Sequence, residues 1–157
     1  MVSSQWRHEP DGYHCPFCAF LRGEWNDRNA ATDLVVQREL VFARIAPKWW
    51  PANDGGVLVI PNEHVENLYA LPRDVGHALW DLTQAVAVAM REKYECQGVS
   101  IRQHNEPAGY QDVWHLHMHV LPRYDGDDLY VRHREARYVG AAERVPYANR
   151  LRGALAD

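Results

Sequence analysis

Several features are scarce or missing in this chain of 157 residues, and each absence excludes something. No apolar run approaches the roughly 18 residues of a membrane span, and the N-terminus lacks the charged and apolar regions of a signal peptide. A membrane is therefore not an expected partner. No basic stretch interleaved with aromatics occurs, and the formal net charge is −4, so nucleic acid is not expected either. There is no internal repeat, low-complexity tract or linker. Cysteine is limited to three; two share one knuckle, which fits a reducing cytoplasm. The composition, 46% hydrophobic and 24% charged, is that of an ordinary globular protein. The length suits one domain over residues 1–157, with 1–12 irregular.

What is present is concentrated. In Trp114–Arg123 three histidines alternate with apolar residues, the period of a half-buried β-strand. That pattern predicts Leu116, Met118 and Val120 on the core face, with His115, His117 and His119 on the other. Successive histidines on a strand stand about 6.6 Å apart. Neighbours can share a ligand, but three cannot close on one metal, so the row divides its labour.

A second cluster suggests how. Cys15-Pro16-Phe17-Cys18 is a CxxC knuckle, and His64 follows the buried run Val57–Pro61. Two thiolates and two imidazoles make a tetrahedral Cys₂His₂ site. Cys15, Cys18, His64 and His115 are the candidate ligands, with His14 as an alternative for the last. A redox pair or plain buried cysteines are the competing readings; the surroundings lack the strand-to-helix context of a redox motif. Four protein ligands would leave no open position, so the zinc would be structural.

With these residues in view, the chain resembles the histidine triad (HIT) superfamily of nucleotide hydrolases and transferases, in its zinc-containing bacterial branch. The His115–Leu121 pattern, the Val57–Asn67 segment and Ala108-Gly109 carry the resemblance. It implies that His117 attacks the α-phosphorus of a nucleotide, giving a covalent nucleotidyl-histidine that water or another acceptor resolves. It implies that His119 donates to phosphate oxygens, and that Asn105, Gln111 and the amides around Gly109 bind phosphate. It also implies a homodimer with a long helix near the interface. Four positions depart from the family pattern. Asp112 stands where Ser or Thr is usual, so it joins His117 and His119 as a candidate catalytic group. Tyr110 is an extra loop residue. Gly56 and Arg44 replace a ribose-contacting His and an acidic residue.

The remaining periodicities predict strands at Asp33–Gln37, Glu39–Ile45, Val57–Ile60 and Val99–Gln103, with the triad strand as the fifth. A helix is expected over Arg73–Tyr94, striped by Val75, Leu79, Leu82, Val86 and Met90. A second is expected over Ala141–Ala156. This order predicts an α+β fold: a five-stranded antiparallel sheet with one long helix and a C-terminal helix packed on one face. Trp114 is expected in the core, and Trp49 and Trp50 as loop anchors. His8, His77, His104, His133 and Arg123 are read as surface residues.

The expected function is a cytoplasmic hydrolase that cleaves a phosphoramidate or phosphoanhydride bond and releases a nucleoside monophosphate. Its partner is a nucleotide or other phosphate-bearing small molecule. Two alternatives stand beside it: a transferase or specialised-pathway enzyme with another phosphate substrate, and a non-catalytic zinc-stapled binding module.

Overall fold

A computed structural model describes residues 2–156. Strands β1 (Leu34–Gln37), β2 (Val41–Ile45), β4 (Val57–Pro61), β5 (Gly98–Gln103) and β6 (Met118–Arg123) form an antiparallel sheet in the order β1-β2-β4-β6-β5. β3 (Lys48–Trp49) and β7 (Arg137–Tyr138) pair as a separate short ribbon. The helices are α1 (Pro16–Leu21), α2 (Arg73–Tyr94) and α3 (Ala141–Arg152). Among the described residues no helix is long and apolar enough to cross a membrane. The α+β prediction and the five main strands hold.

α2 forms where expected because its whole apolar stripe finds a partner. Val75, Leu79, Leu82, Val86 and Met90 are all buried, packed with Val41, Ala43, Ile45, Val57, Val59 and Val120 of the sheet. Pro72 caps the helix start, and Glu95 ends it in the left-handed region at φ 56°. α3 packs beside α2 and β1, burying Ala148 and Leu151. It stops at Arg152, short of the predicted Ala156, and Pro146 sits inside it.

Other differences have local causes. β2 starts at Val41 because a turn closes before it, with Arg38 N–H donating to the Val41 carbonyl at 2.8 Å. The segment read as irregular, residues 1–12, holds a 3₁₀ turn at Ser4–Trp6. Trp114 is only half-buried and lies 5.8 Å from the His8 ring rather than in the core. Arg123 is not a free surface charge: it forks onto Asp127 at 2.7 and 2.8 Å.

The larger correction concerns the second face of the sheet. β2 and β4 are buried on both sides. Phe42, Leu58 and Ile60 point away from α2 and pack with Phe17, Phe20 and Cys15 around α1. Helices therefore cover both faces at the sheet centre.

A buried ion cluster pins this arrangement. Asp33, Arg44 and Arg144 are all fully buried. Asp33 accepts from Arg44 Nη2 at 2.8 Å and from Arg144 Nε at 2.7 Å and Nη2 at 2.9 Å. Backbone carbonyls of Arg28, Ile45, Val139 and Asp27 take further guanidinium donors. One carboxylate thus ties β2 to α3. Removing one member strands the others without a counter-charge, a cost of about 3–5 kcal/mol. Asp33→Ala is expected to lower unfolding free energy by that amount in denaturant titration. A loss below about 1 kcal/mol would show that the cluster does not hold the fold.

Candidate active site and metal cluster

β6 begins only at Met118, so the three histidines do not share a straight strand. A bend at Val113–His115 leads into irregular backbone at Leu116 and His117, held by Leu116 N–H donating to the Val65 carbonyl at 2.7 Å. His115 is fully buried against Phe17 and His64. The His117 and His119 rings approach to 4.9 Å between centroids.

Cys15, Cys18, His64 and His115 converge, with their ligand atoms all within 4.8 Å of one another. Cys15 Sγ lies 3.2 Å from His115 Nδ1, Cys18 Sγ 3.5 Å from His64 Nδ1, and Cys18 Sγ 3.7 Å from His115 Nδ1. A tetrahedral zinc with ordinary Zn–S and Zn–N bonds puts S···N edges at about 3.5 Å. The far nitrogens are engaged as a metal site requires. His115 Nε2–H donates to the Pro61 carbonyl at 3.0 Å, and His64 Nε2 meets Glu9 Oε2 at 2.5 Å. Both Nδ1 atoms are thereby turned to the centre. Burial and the adjoining Cys18 push the Cys15 thiol up to about 12. Burial, then His64, pushes His115 down to about 4, so it is neutral. A bound cation would take the place of the thiol protons, because thiolate and neutral imidazole are the ligating forms. His14 does not join them; its side chain is exposed and lies 3.5 Å from Glu24.

The other two histidines open into a cavity of about 640 Å³. His117 Nδ1–H donates to the His115 carbonyl at 2.8 Å. A carbonyl can only accept, so the tautomer is set, and the Nε2 lone pair is left free on the cavity side. Asp112 Oδ1 stands 4.0 Å from that Nε2, on an otherwise exposed side chain. Burial pushes the His117 pKa down, opposed by the His115 carbonyl and by Asp112. Burial, then His117, puts His119 well below the usual histidine range. Both rings are therefore neutral at physiological pH.

Strand register brings other groups into the same wall. Arg44 pairs with Leu58, Leu58 with His119, and His119 with Arg102, so one row crosses four strands on the cavity face. His104 also lines the cavity, its ring 5.6 Å from His119. The surface reading of His104 is thereby corrected. Trp50 and His133 line it too, whereas Trp49 is buried edge-on to Tyr147.

The loop before the triad contributes differently from expectation. Its cavity wall is His104, Tyr110 and Asp112. Asn105, Gln111 and Gly109 are not in that wall. Asn105 accepts from Leu68 N–H at 2.7 Å, and Gln111 donates to the Glu66 and Val113 carbonyls. Gln111 also accepts from Glu106 N–H at 2.9 Å. That bond steadies a backbone only glycine normally adopts, φ 62° and ψ 164°. Gly56 leaves no room for a larger residue without movement: a Cβ there would lie 3.1 Å from Leu121 Cδ2.

The alternation of His115, His117 and His119 was the legible part of this site. The parity of Arg102 and His104 with His119 was available once β5 was paired with β6. Arg28, Lys48, Tyr130 and Tyr138, which also line the cavity, come from segments with no periodic signal.

The HIT domain family model matches residues 27–126. The chain belongs to the HIT domain family. It is 30% identical over 131 residues to an uncharacterised HIT-like protein of Methanocaldococcus jannaschii, covering 82% of this chain and 94% of that one. It is 28% identical over 101 residues to the bis(5′-adenosyl)-triphosphatase of Dictyostelium discoideum, covering 64% and 65%. Among solved structures, a Hit-like protein from Bartonella henselae superposes with a TM-score of 0.75 at 25% identity, covering 90% and 96%. A Zn-bound histidine triad family protein from Mycobacterium smegmatis superposes with a TM-score of 0.72 at 28% identity, covering 90% and 93%.

The electrostatics of His117 are directly testable. In an NMR pH titration its ring should titrate below the free-imidazole value of about 6.5. Asp112→Asn should lower the midpoint further, because it removes a carboxylate that favours the protonated ring. A midpoint above the free value, or an upward shift in the variant, would contradict this account.

Proposed function

We propose that this HIT protein is a nucleotide hydrolase that releases a nucleoside monophosphate by way of a nucleotidyl-histidine. The observation that carries the reading is the tautomer of His117: Nδ1–H is committed to the His115 carbonyl, leaving Nε2 as an unprotonated nucleophile facing the cavity. Nε2 attacks the α-phosphorus. An N–P bond forms while the P–N or P–O bond to the leaving group breaks; the leaving group departs with the electron pair, an amine taking up a proton from solvent as it does so. Water then attacks the same phosphorus and returns the imidazole. His119 and His104 are near enough to donate to non-bridging oxygens as charge shifts. Asp112, 4.0 Å from Nε2, offsets the positive charge that His117 acquires on bonding to phosphorus. Asn105, Gln111 and Gly109 act through the loop backbone instead of gripping the ligand.

Zinc held by Cys15, Cys18, His64 and His115 would supply structure only, since the four ligands close its shell. It would staple α1 to the sheet and hold Phe17 edge-on against His117. Trp80 and Val88 leave exposed apolar surface on α2, which supports the homodimer reading.

A second reading, another phosphate substrate or acceptor, is favoured by Arg44. Arg44 lines the cavity with its guanidinium buried against Asp33, so β2 offers no acid to a ribose.

The test of catalysis is monophosphate release from adenosine and guanosine phosphoramidates, a dinucleoside polyphosphate and a sugar nucleotide. Wild type should turn over at least one, and His117→Asn should lose more than about 1000-fold in rate. A rate retained by the variant would refute the mechanism. Burial of His117 places the acid limb of the pH–rate profile below about 6.5. Cys15→Ser should lose zinc and stability together; lost activity in a stable, zinc-loaded variant would argue against a purely structural metal.

A further inference from the structure

The cavity carries more positive charge than one phosphate needs. Arg28, Arg44, Lys48 and Arg102 line it, against a single carboxylate, Asp112, on a chain whose net charge is −4. The four cations are not equivalent. Arg44 is committed to Asp33, and Arg28 lies over the Tyr138 ring at 3.6 Å on an exposed side chain.

Arg102 is different. Its guanidinium is half-buried and lies over Trp50 at 4.8 Å and Tyr130 at 6.0 Å. Nε is buried with no hydrogen-bond partner, and no carboxylate pairs with Arg102 among the described residues. The nearby Arg123 is already taken by Asp127. Burial lowers the Arg102 pKa, as befits a desolvated cation. The aromatic wall is itself anchored, since Trp50 Nε1–H donates to the His133 carbonyl at 3.0 Å. Aromatic faces hold a guanidinium in place while leaving its in-plane donors unused. Those donors match a phosphate or carboxylate, taken in pairs.

Register sets the reach. Arg102 is the cross-strand partner of His119, so their Cβ atoms stand about 5 Å apart. His117 precedes His119 by two residues. The His117 ring lies 4.9 Å from that of His119, so Arg102 and His117 flank the same histidine. An anion on Arg102 and a phosphorus over His117 fit within one small molecule.

We propose that Arg102, braced by Trp50 and Tyr130, is a second anion subsite, and that the substrate carries a phosphate or carboxylate besides the reacting phosphate. This rests on the phosphate chemistry assigned above to His117 and adds a substrate class to it. Arg102 is a specificity residue and takes no part in bond making.

Three matched pairs of adenosine 5′-phosphoramidates distinguish the sources of the anion. They are the N-linked adducts of O-phosphoethanolamine against ethanolamine, glycine against glycinamide, and a 3′-phosphorylated adenosine 5′-phosphoramidate against the unphosphorylated one. Wild type should favour the charged member of at least one pair by tenfold or more in kcat/KM. Arg102→Met should abolish that preference, lowering kcat/KM for the charged members at least tenfold more than for the neutral ones, and Arg102→Lys should restore part of it. No preference in any pair, or a preference that survives Arg102→Met, overturns the proposal. If nothing is turned over, the hydrolase reading fails on its own, and binding decides the subsite. Calorimetry should then find inorganic pyrophosphate bound at least tenfold more tightly by wild type than by Arg102→Met, with inorganic phosphate showing a smaller difference. Equal pyrophosphate affinity in the two proteins overturns it.

Discussion

His115 is the joint on which the site depends. Its Nε2–H is held by the Pro61 carbonyl, its Nδ1 faces Cys15 and Cys18, and its own carbonyl takes the Nδ1–H of His117. One residue therefore links the cysteine knuckle, the end of β4 and the tautomer of the next histidine. Its burial keeps the ring neutral, which both a metal-ligand role and a stable hydrogen bond to Pro61 need. The irregular backbone at Leu116 and His117 follows from this commitment. A regular strand would carry the carbonyl into a ladder bond and leave His117 free to rotate.

The same economy appears beneath the cavity. Asp33, Arg44 and Arg144 join β2 to α3 through one shared carboxylate. Two guanidiniums on one acid leave a positive surplus under the cavity wall, and Arg102 adds to it at the other end of the row. The low-dielectric surroundings that weaken protonation of His117 and His119 also strengthen the pull of these cations on a phosphate. A neutral His117 and the attraction for an anion thus have one origin, the burial of the sheet's second face. The strained backbone at Glu106 belongs to the loop that carries His104, Tyr110 and Asp112 into that wall. Gln111, His8 and Tyr69 all bind Glu106, and so the loop beside the histidines is held in a conformation its sequence alone disfavours.

Much of the fold was legible in residue patterns. The stripe from Val75 to Met90 marked α2, and the runs Asp33–Gln37 and Val57–Ile60 read as strands, each within one residue of the observed bounds, because β-branched residues cluster between breakers. Cys15, Cys18, His64 and His115 were legible as a set because their residue types and spacings suit one tetrahedral centre, and they do converge. The ends of elements were less legible. α3 stops early at Arg152, and β6 starts late at Met118, because tertiary hydrogen bonds compete with the local pattern there. Asn105 and Gln111 looked like ligand contacts by type, but backbone groups of neighbouring segments claimed them first.

By itself, the sequence determined the class of fold, the helix α2 and the knuckle, and it singled out His117 as the candidate for the central histidine. These are short-range properties, written in period and residue type. Only the tertiary structure decided which residues share the cavity. Arg44, Leu58, His119 and Arg102 form one row because four strands pair in a particular register, and Trp50 and Tyr130 reach Arg102 from segments far apart in the chain. Register and long-range packing depend on the free energy of the whole sheet and its covering layers. No window of sequence contains that sum.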